Sequence, residues 1–559
     1  MNATGASLLA DQLRLLGVDR IFTLNGGHIA PIYDACLDAG VAIVDVRHED
    51  AAVHMAHAHS RVTGAPGVAC LTAGPGVSNG VSAIASAWAA ASPLVVLGGK
   101  VPLPQVDLGA LQDVDQVSMV RPVTRSARTV LDASRVAEYV ADAYRLAALP
   151  PQSPTFVEIP TDVLRAATDR TELYAASPPP ASAPSADALE LAAAALRRAQ
   201  RPVLVAGSGV LWSRAEEAVR RLAEALSMPV LTTSLARGLL APDHPLNLFA
   251  ARSRLLGDAD LVLVVGTRFN YVLNYGQPPR LPAAAALIHV DASADEVDRN
   301  RRADVAIVAD ARLALEALTA ALEPVPRSAR PWLNEATAAH VAARRRSMEV
   351  QSGGAVHPLR LCHEVAAAAP PGTRFVVDGG DVLSFARVAI QPDGPRRFLD
   401  PGPYGGLGAG IPFSNATKLA APDDPVVCIT GDGALGFNVM ELDTSVRHGL
   451  PIVVVVSNNA AWGIERNAQV EDFGPDRIVA TELRDARFDE VARALGCRGR
   501  RVTAAEEIGE AVREAIDYGE PALVDVVTDA AVRSPDLQRG LATVPDREPL
   551  AWDRSGGMR

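Results

Sequence analysis

Short, nearly continuous runs of aliphatic and β-branched residues alternate along this chain with longer, alanine-rich stretches of helical periodicity. Such runs lie at 41–46, 67–73 and 93–99, and others of the same kind recur far into the C-terminal half. Strands buried on both faces of a parallel sheet have this character, and the helical stretches between them supply the crossover connections. The pattern therefore predicts an α/β fold.

The alternation stops at two places and so divides the chain into blocks. At 177–186 the sequence SPPPASAPSA contains four prolines among small residues, which cannot continue a helix or a central strand. At 326–358, prolines, an arginine-rich helix and a Ser-Gly-Gly turn indicate a surface connector. We therefore predict three doubly wound parallel-sheet domains, followed by a tail that lies on the surface or covers a site as a lid. Their bounds are 1–170, 187–325 and 359–533 for the domains and 534–559 for the tail.

The length, charge and cysteine content of the chain argue against several classes of function. With 559 residues the chain is too long for a single core, and its net charge of -12 leaves no general basic field to attract nucleic acid or an anionic membrane. The five cysteines contain no CxxC pair, which argues against a disulfide framework or a zinc site. No apolar run reaches the ~18–20 residues of a membrane-spanning helix, and the N-terminus lacks a signal-peptide pattern. We expect a cytoplasmic protein.

Two polar turns follow apolar strands in the third block. Gly431-Asp432-Gly433 comes after VVCIT, and Asn458-Asn459 comes after PIVVVV. If FNVMELDTSVRHG is the crossover helix, both turns lie at the carboxyl ends of neighbouring parallel strands and share one cation. A carboxylate, an amide and a backbone carbonyl leave two coordination positions of a cation open for phosphate oxygens. Such a set of oxygen ligands suits Mg²⁺. The helix N-terminus that follows the first turn favours the negative charge of the phosphates. The pattern predicts a magnesium-diphosphate site.

This arrangement resembles the signature of thiamine diphosphate (ThDP) enzymes, and the resemblance spans almost the whole chain. It implies that the Mg²⁺ ligands are Asp432, Asn459 and the backbone carbonyl of Ala461. It also implies that Leu407 props the cofactor into its bent shape, while the carbonyl of Gly405 accepts from the 4′-amino group. The further cofactor contacts that it implies are Gly379, Gly380, Asp381, Gly431, Gly433, Ala434, Leu435 and Trp462.

The first block resembles the pyrimidine-binding domain of the same family. In VRHEDAAVHMAHAHSRVTG, Glu49 stands where the family's glutamate hydrogen-bonds N1′ and favours the imino tautomer that removes the C2 proton. The turn TAGPGVSNG at 72–80 then places Asn79 beside the pyrimidine ring. In this family the two halves of the site meet across a subunit interface, so the resemblance implies a homodimer or homotetramer.

Two residues of the first block fall where the resemblance places groups over the thiazolium. They are His28, in LNGGHIAP, and Gln112, in GALQDVDQ. The ordinary pKa of histidine suits removal of a hydroxyl proton and reprotonation of a carbanion, whereas glutamine can only orient a substrate. We therefore expect His28 to be the acid and base and Gln112 to assist it.

The middle block bears on the substrate. Its segment 234–280 is similar to that of 2-hydroxyacyl-CoA lyases and oxalyl-CoA decarboxylases, whose middle domain binds an adenine nucleotide, either the coenzyme A end or ADP. Acetolactate synthases, which carry FAD there, resemble it less well. Arginines suit phosphate groups. The candidate ligands are Arg237, Arg252 and Arg268, with Arg533, Arg539 and Arg547 of the tail.

The middle-block match favours a 2-hydroxyacyl-CoA lyase, because it concerns ligand binding outside the shared ThDP core. Such an enzyme releases an aldehyde or ketone and formyl-CoA, and it can run in reverse as a carboligase. Benzaldehyde lyase is an alternative, since the first block and the segment around NNAAWG resemble it, and there Trp462 and Glu465 shape the substrate pocket. Acetolactate-synthase-like and oxalyl-CoA-decarboxylase-like enzymes, and a non-catalytic regulatory protein of this fold, are the remaining hypotheses.

Overall fold

The computed structural model describes residues 3–175 and 180–538, and within these ranges it contains three large, all-parallel sheets, one in each predicted domain. The predicted α/β class with three parallel-sheet domains is therefore confirmed. Residues 539–559, the greater part of the predicted tail, lie outside the described residues, as do Arg539 and Arg547. No helix in the described ranges combines the length and the apolar character needed to cross a bilayer.

The first sheet has six strands, and its inner strands are buried because their residues are almost all apolar. From edge to edge they are Ala42–Asp45, Arg20–Thr23, Gly67–Leu71, Leu94–Lys100, Pro154–Pro160 and Ser126–Thr129. Its helices are Gly5–Leu15, Ala30–Ala39, Glu49–Thr63, Pro75–Ala89, Gln116–Val120, Val136–Ala148 and Thr161–Arg165. A short antiparallel pair, Ala3–Thr4 with Ala167–Thr168, joins the two ends of this domain.

The middle sheet has five strands and its own apolar core. From edge to edge the strands are Val230–Thr232, Pro202–Ala206, Leu261–Val265, Ala286–Asp291 and Val305–Val308. The helices are Ala186–Arg198, Ser208–Trp212, Glu216–Leu226, Arg252–Asp258 and Ala311–Ala321. The connector that follows contains the helix Trp332–Met348, whose arginines 344–346 are exposed, as the sequence predicted.

The third sheet again has six strands. From edge to edge they are Phe398–Leu399, Arg374–Asp378, Val426–Gly431, Ile452–Asn458, Ala522–Val527 and Arg498–Val502. The helices are Pro358–Ala368, Asp381–Ala389, Gly410–Ala420, Asp432–Asn438, Glu441–Arg447, Gly463–Phe473, Phe488–Ala494, Ala505–Asp517 and Pro535–Gln538.

The first and third domains share one apolar core across their contact. Helix Glu49–Thr63 of the first domain packs on helix Gly410–Ala420 of the third, and Phe413 lies edge-on between the rings of His54 and His57. His57 Nε2 also bonds the hydroxyl of Ser92 at 2.9 Å. These histidines therefore serve as core residues that join the two domains.

A buried arginine joins the middle domain to the third domain. Arg237 is 4% exposed, and its guanidinium donates to the carbonyl oxygens of Arg387 and Ile390 at 2.9 and 2.6 Å. Its charge also lies over the rings of Phe249 and Phe398, 4.5 and 4.9 Å from their centres. The sequence made Arg237 a candidate phosphate ligand; in the folded chain its Nη2 is bonded to two backbone carbonyls, while its Nε has no hydrogen-bond partner among the described residues.

We expect Arg237→Met to destabilise the protein. The change leaves two buried carbonyls without donors and removes the cation from between two rings, at a cost of roughly 3 kcal/mol. Thermal unfolding followed by circular dichroism checks this and should show a clearly lower midpoint. The matched control is Arg299→Met, because the Arg299 side chain is 60% exposed and its ion pair with Glu296 is long at 3.3 Å. Equal midpoints for the two variants would contradict the structural role of Arg237.

Candidate active site

The polar turns of the third domain meet at one edge of its sheet. Strand register places Gly431 opposite Ser457 and Asp378 opposite Thr430, so the three inner strands end level with one another. The turns that begin at Gly379, Gly431 and Asn459 therefore lie side by side. The predicted meeting of the GDG and NN turns at neighbouring strand ends is what the fold shows.

Glycine is required where these turns approach most closely. Gly379 has a φ of 121°, and a Cβ there would lie 3.3 Å from the backbone nitrogen of Gly431. A Cβ on Gly433 would lie 2.5 Å from the indole ring of Trp462. The strand ends thus form a narrow, backbone-lined cradle with Trp462 against one wall.

Asp432 is the residue of this cradle whose environment best indicates a missing ligand. It is 5% exposed, it begins helix Asp432–Asn438, and its Oδ2 is buried without a hydrogen-bond partner in the described chain. Burial raises the pKa of the Asp432 carboxyl to about 6, against the opposing effect of nearby backbone N–H groups of Gly433 and Ala461. An orphaned carboxylate oxygen at a diphosphate-type turn fits a divalent cation.

Asn459 lies on the neighbouring turn. Its Oδ1 accepts from the backbone N–H of Ala461 at 3.1 Å, and Ala460 between them has a left-handed φ of 53°. A non-glycine residue in this conformation is strained, and such strain is typical of functional turns. Asp432, Asn459 and the carbonyl of Ala461 form an oxygen-only set, which fits Mg²⁺.

Asp381, which begins helix Asp381–Ala389, belongs to the same cluster. A Cβ on Gly463 would clash with both Oδ2 of Asp381 and Nδ2 of Asn459, so these two side chains face each other across that glycine. Burial raises the pKa of the Asp381 carboxyl to about 7. A hydrogen bond with Ser534 lowers this pKa, and the negative charge of Glu465 raises it further. The start of the predicted tail therefore reaches the cradle through Ser534.

Asp378 fixes the loop that carries Leu407 and Gly405. It is 1% exposed, and one carboxylate oxygen accepts from the backbone N–H groups of Gly408 and Gly410 at 2.9 and 2.8 Å. Leu407 is half-buried and Gly405 is exposed, both on this loop at the mouth of the cradle. Sequence reasoning missed Asp378, although an aspartate that directly precedes a Gly-Gly turn is a signal that could have indicated it.

The first domain assembles a second half-site at its own strand ends. Glu49 is 7% exposed and begins helix Glu49–Thr63, and Nδ2 of Asn79 donates to its Oε2 at 3.0 Å. A Cβ on Gly76 would lie 3.7 Å from Oε1 of Glu49, which places the 72–80 turn against the carboxylate. The structure thus brings together the two residues that the sequence assigned to the pyrimidine.

His28 and Gln112 lie together in this second half-site. Burial lowers the pKa of His28, and a hydrogen bond with the Gln112 side chain opposes that shift. Gln112 has a left-handed φ of 68°, and a Cβ on Gly74 would lie 2.8 Å from its carbonyl oxygen. Burial therefore favours the neutral imidazole, the form that a base requires.

Gln116 holds this region together and was missed by sequence reasoning. It is 1% exposed, its Oε1 accepts from the N–H of Gly74 at 3.0 Å, and its Nε2 donates to the carbonyl of Gly99 at 2.6 Å. A Cβ on Gly99 would lie 2.8 Å from that of His28. Gln116 therefore ties the 72–80 turn to the strand against which His28 packs.

A cavity of about 450 Å³ opens at the carboxyl ends of the middle-domain strands, where ligands bind in open parallel sheets. Arg252 and Arg268 line it, and Arg268 is paired with Glu296 at 3.4 Å. Arg237 also lines the cavity, and its Nη2 is bonded to two backbone carbonyls. Burial raises the pKa of Asp291, at the end of strand Ala286–Asp291, to about 6.

Glycine-lined turns at strand ends, an orphaned carboxylate oxygen and a glutamate held at a second domain define the class of protein. It is an α/β protein whose strand-end turns fit a diphosphate cofactor. Three family models match the chain, all of thiamine pyrophosphate (that is, ThDP) enzymes. They are the N-terminal TPP binding domain over 3–119, the central domain over 189–318 and the C-terminal TPP binding domain over 378–526. The chain belongs to the thiamine pyrophosphate enzyme family and is a ThDP-dependent enzyme.

Similar proteins of known name fall into two groups. A probable acetolactate synthase of Mycobacterium bovis is 39% identical over 533 residues, which cover 94% of this chain and 96% of that protein. The 2-hydroxyacyl-CoA lyase 2 of Caenorhabditis elegans is 33% identical over 562 residues, covering 92% and 86%. That of Homo sapiens is 33% identical over 538 residues, covering 89% and 84%. The resemblance inferred from the sequence is thereby confirmed.

We expect Asp432→Asn to weaken Mg²⁺-dependent binding of ThDP at least tenfold, because the change removes the carboxylate oxygen that has no hydrogen-bond partner among the described residues. Calorimetric titration of the cofactor-free protein with ThDP, with and without Mg²⁺, measures this. Asp423→Asn, in an exposed loop, is the matched control and should bind like the unaltered protein. Equal affinities for both variants would exclude Asp432 as a metal ligand.

The raised pKa of Asp432 predicts how cofactor binding depends on pH. The carboxyl is ionised above pH 6 and protonated below it, so a proton competes with the cation as the pH falls through about 6. We therefore expect the apparent affinity for ThDP with Mg²⁺ to be highest above this pH and to decline below it. The same titration over a pH series tests this, and a flat profile between pH 5 and 7 would contradict it.

Proposed function

We propose that this enzyme is a 2-hydroxyacyl-CoA lyase, which cleaves its substrate to an aldehyde or ketone and formyl-CoA and also runs in reverse as a carboligase. The observation that carries the proposal is the placement of His28 and Gln112 on one half-site: a Cβ on Gly99 would lie 2.8 Å from that of His28, and a Cβ on Gly74 would lie 2.8 Å from the carbonyl oxygen of Gln112. Cleavage next to a hydroxyl-bearing carbon requires a base that removes the hydroxyl proton. A neutral imidazole at this half-site supplies one.

Each residue of the two half-sites then has a role. Bound ThDP would supply a nucleophilic carbon for the thioester carbonyl and an electron sink for the negative charge left when the C–C bond breaks. Glu49, held by Asn79 at 3.0 Å, shares a proton with the pyrimidine N1′. His28 takes the proton of the substrate hydroxyl and returns a proton to the carbon that becomes the formyl group, while Gln112 orients the substrate.

On the diphosphate side, Asp432, Asn459 and the carbonyl of Ala461 would hold Mg²⁺. The backbone of the cradle would hold the phosphate oxygens, with helix Asp432–Asn438 directing its N-terminus towards them. Leu407 and the carbonyl of Gly405 would support the ring end of the cofactor, because Asp378 fixes their loop.

The middle-domain cavity fits the nucleotide end of coenzyme A. Arg268 and Arg252 contribute positive charge at its wall, and its volume of about 450 Å³ lies within the usual range for small-molecule sites. ADP, as in the oxalyl-CoA decarboxylases that the sequence resembles, is the other occupant of matching chemistry. Arg237 lines the same cavity and stays a candidate contact for the phosphates, although its Nη2 is already bonded to two backbone carbonyls.

We also propose that the active site is completed by a second copy of the chain, as a homodimer or homotetramer. Large apolar side chains stay exposed beside both half-sites of the single chain. Leu108 and Leu111 are 76% and 81% exposed next to Gln112, and Phe437 is 61% exposed at the end of helix Asp432–Asn438. Exposed apolar groups grouped around a site are typical of an interface. The five buried, free cysteines fit the expected cytoplasmic location.

An acetolactate-synthase-like activity is the second candidate, and the 39% identity to the mycobacterial protein favours it. Purified protein with ThDP and Mg²⁺ should be incubated separately with a 2-hydroxyacyl-CoA, pyruvate and an aromatic acyloin, and the products identified by mass spectrometry. We expect formyl-CoA and an aldehyde or ketone from the first substrate. Acetolactate from pyruvate, or acyloin cleavage without any formyl-CoA, would replace the proposal with the corresponding alternative.

We expect His28→Asn to lower kcat for the lyase reaction on the order of 100-fold, because a general base is lost. In the unaltered enzyme the imidazole acts as a base only when it is neutral. Because burial lowers the pKa of His28, kcat/KM should fall only as the pH drops below 6.5, the ordinary pKa of histidine. This acid limb should disappear in the variant. His340→Asn, on the connector helix, is the control, and an unchanged acid limb in His28→Asn would assign the base elsewhere.

A further inference from the structure

We infer that Glu441 is a positioning residue for Glu49, an inference that rests on the proposed role of Glu49. Glu441 lies in the third domain, is 1% exposed, and reaches the first domain with one carboxylate oxygen. That oxygen accepts from the backbone N–H groups of Arg47 and His48 at 3.0 and 3.1 Å. These are the two residues directly before Glu49 in the chain.

The turn at Arg47 and His48 depends on an acceptor from outside its own domain. The ladder of strand Ala42–Asp45 ends before it, and the last sheet-like bond is from the N–H of Val46 to the carbonyl of Thr23 at 2.9 Å. His48 then has extended angles and forms the N-cap of the helix that Glu49 begins. Arg47 and His48 are exposed residues, but both of their N–H groups donate to a carboxylate that is itself 1% exposed. The position of Glu441 therefore determines where the chain turns and where Glu49 starts.

Glu441 is itself held on every side. Its second carboxylate oxygen accepts from the hydroxyl of Thr444 at 2.6 Å. Its main-chain carbonyl accepts from the side chains of Asn415 and Ser445 at 3.2 and 3.1 Å. A buried carboxylate with both oxygens engaged has little freedom to move, which is the property that a positioning group requires.

Other contacts of helix Glu441–Arg447 with the same turn are exposed. Arg47 pairs with Asp443 at 3.3 Å, with side chains 49% and 26% exposed, and Arg447 pairs with Asp45. Exposed ion pairs of this kind stabilise a structure little. Asp443 therefore provides a matched control on the same helix, because it touches the same turn without binding its backbone.

Glu441 also connects the turn to the diphosphate side. It lies just beyond helix Asp432–Asn438, whose first residue is the proposed Mg²⁺ ligand. Asn438 at the end of that helix donates to the carbonyl of Gly408 at 2.9 Å, on the loop that carries Leu407. One continuous segment of the third domain thus holds the metal-binding turn, the loop beneath the cofactor and the turn before Glu49.

Two measurements test the role of Glu441 in the full-length protein. The first is amide hydrogen exchange of residues 45–49 in the cofactor-free protein, followed by mass spectrometry. The second is the rate of hydrogen–deuterium exchange at C2 of ThDP bound at saturating ThDP and Mg²⁺, which reports Glu49 without any substrate. We expect Glu441→Ala to speed the first exchange and to slow the second on the order of 10- to 100-fold, since small misplacements are costly in catalysis.

The conservative variants separate positioning from general stability. Glu441→Gln keeps an acceptor oxygen and should retain C2 exchange within about threefold of the unaltered enzyme, and Asp443→Asn should match it. Should Glu441→Ala not fold, Glu441→Asp, which withdraws the oxygen by one methylene, carries the same expectation as alanine. C2 exchange at the unaltered rate in the alanine or aspartate variant, at saturating ThDP, would overturn the inference.

Glu49→Gln serves as the reference that separates this inference from the proposal beneath it. If C2 exchange in Glu49→Gln equals that of the unaltered enzyme, the proposed role of Glu49 is wrong, and so is the reason for positioning it. If Glu49→Gln abolishes exchange while Glu441→Ala or Glu441→Asp leaves it intact, the role of Glu49 stands and only that of Glu441 falls.

Discussion

The register of parallel strands is the constraint on which the rest of this structure depends. Because neighbouring strands end level, as Gly431 and Ser457 do, residues far apart in the chain arrive at the same sheet edge. The orphaned oxygen of Asp432 and the amide of Asn459 have no other reason to meet. A shift of the strand pairing by one residue would turn the side chains of Asp432 and Asn459 to the opposite face of the sheet, and the cradle would not form.

The same geometry explains what could be predicted from the sequence. Turns such as GDG and NN carry local signals, since their residues directly follow apolar strands, and the pattern of strands and helices fixes which ends are neighbours. Glu49 and Asn79 could be predicted from the family resemblance, since both stand in segments that match its pyrimidine-binding domain. The structure brings both pairs together, and the three matching family models agree with the three sheets.

The features that could not be predicted depend on contacts between residues far apart in the chain, which no local sequence pattern indicates. Glu441 bonds the backbone of His48 from 393 positions away, and in the sequence it looks like an ordinary acidic residue at the start of a helix. The contacts of Arg237 with the rings of Phe249 and Phe398 and with two backbone carbonyls likewise could not be predicted from the sequence. Strand Arg498–Val502 was also missed, because its arginines break the apolar pattern at a sheet edge, where they pair with acidic residues.

One segment of the third domain contributes both to the cavity of the middle domain and to the cofactor cradle. The middle domain is therefore linked structurally to the cradle. Asp400, fully buried, accepts from Arg387 at 3.1 Å, and Gly402 and Pro403 behind it line the middle-domain cavity. A few residues after Asp400 the same segment forms the loop that carries Leu407, and Asp378 binds the backbone of that loop. Two buried aspartates thus bond to the chain near both ends of the glycine-rich stretch 400–410. The wall of the middle-domain cavity and the loop that carries Leu407 are therefore parts of one continuous segment of the third domain, which is a physical reason for the middle and third domains to stay together.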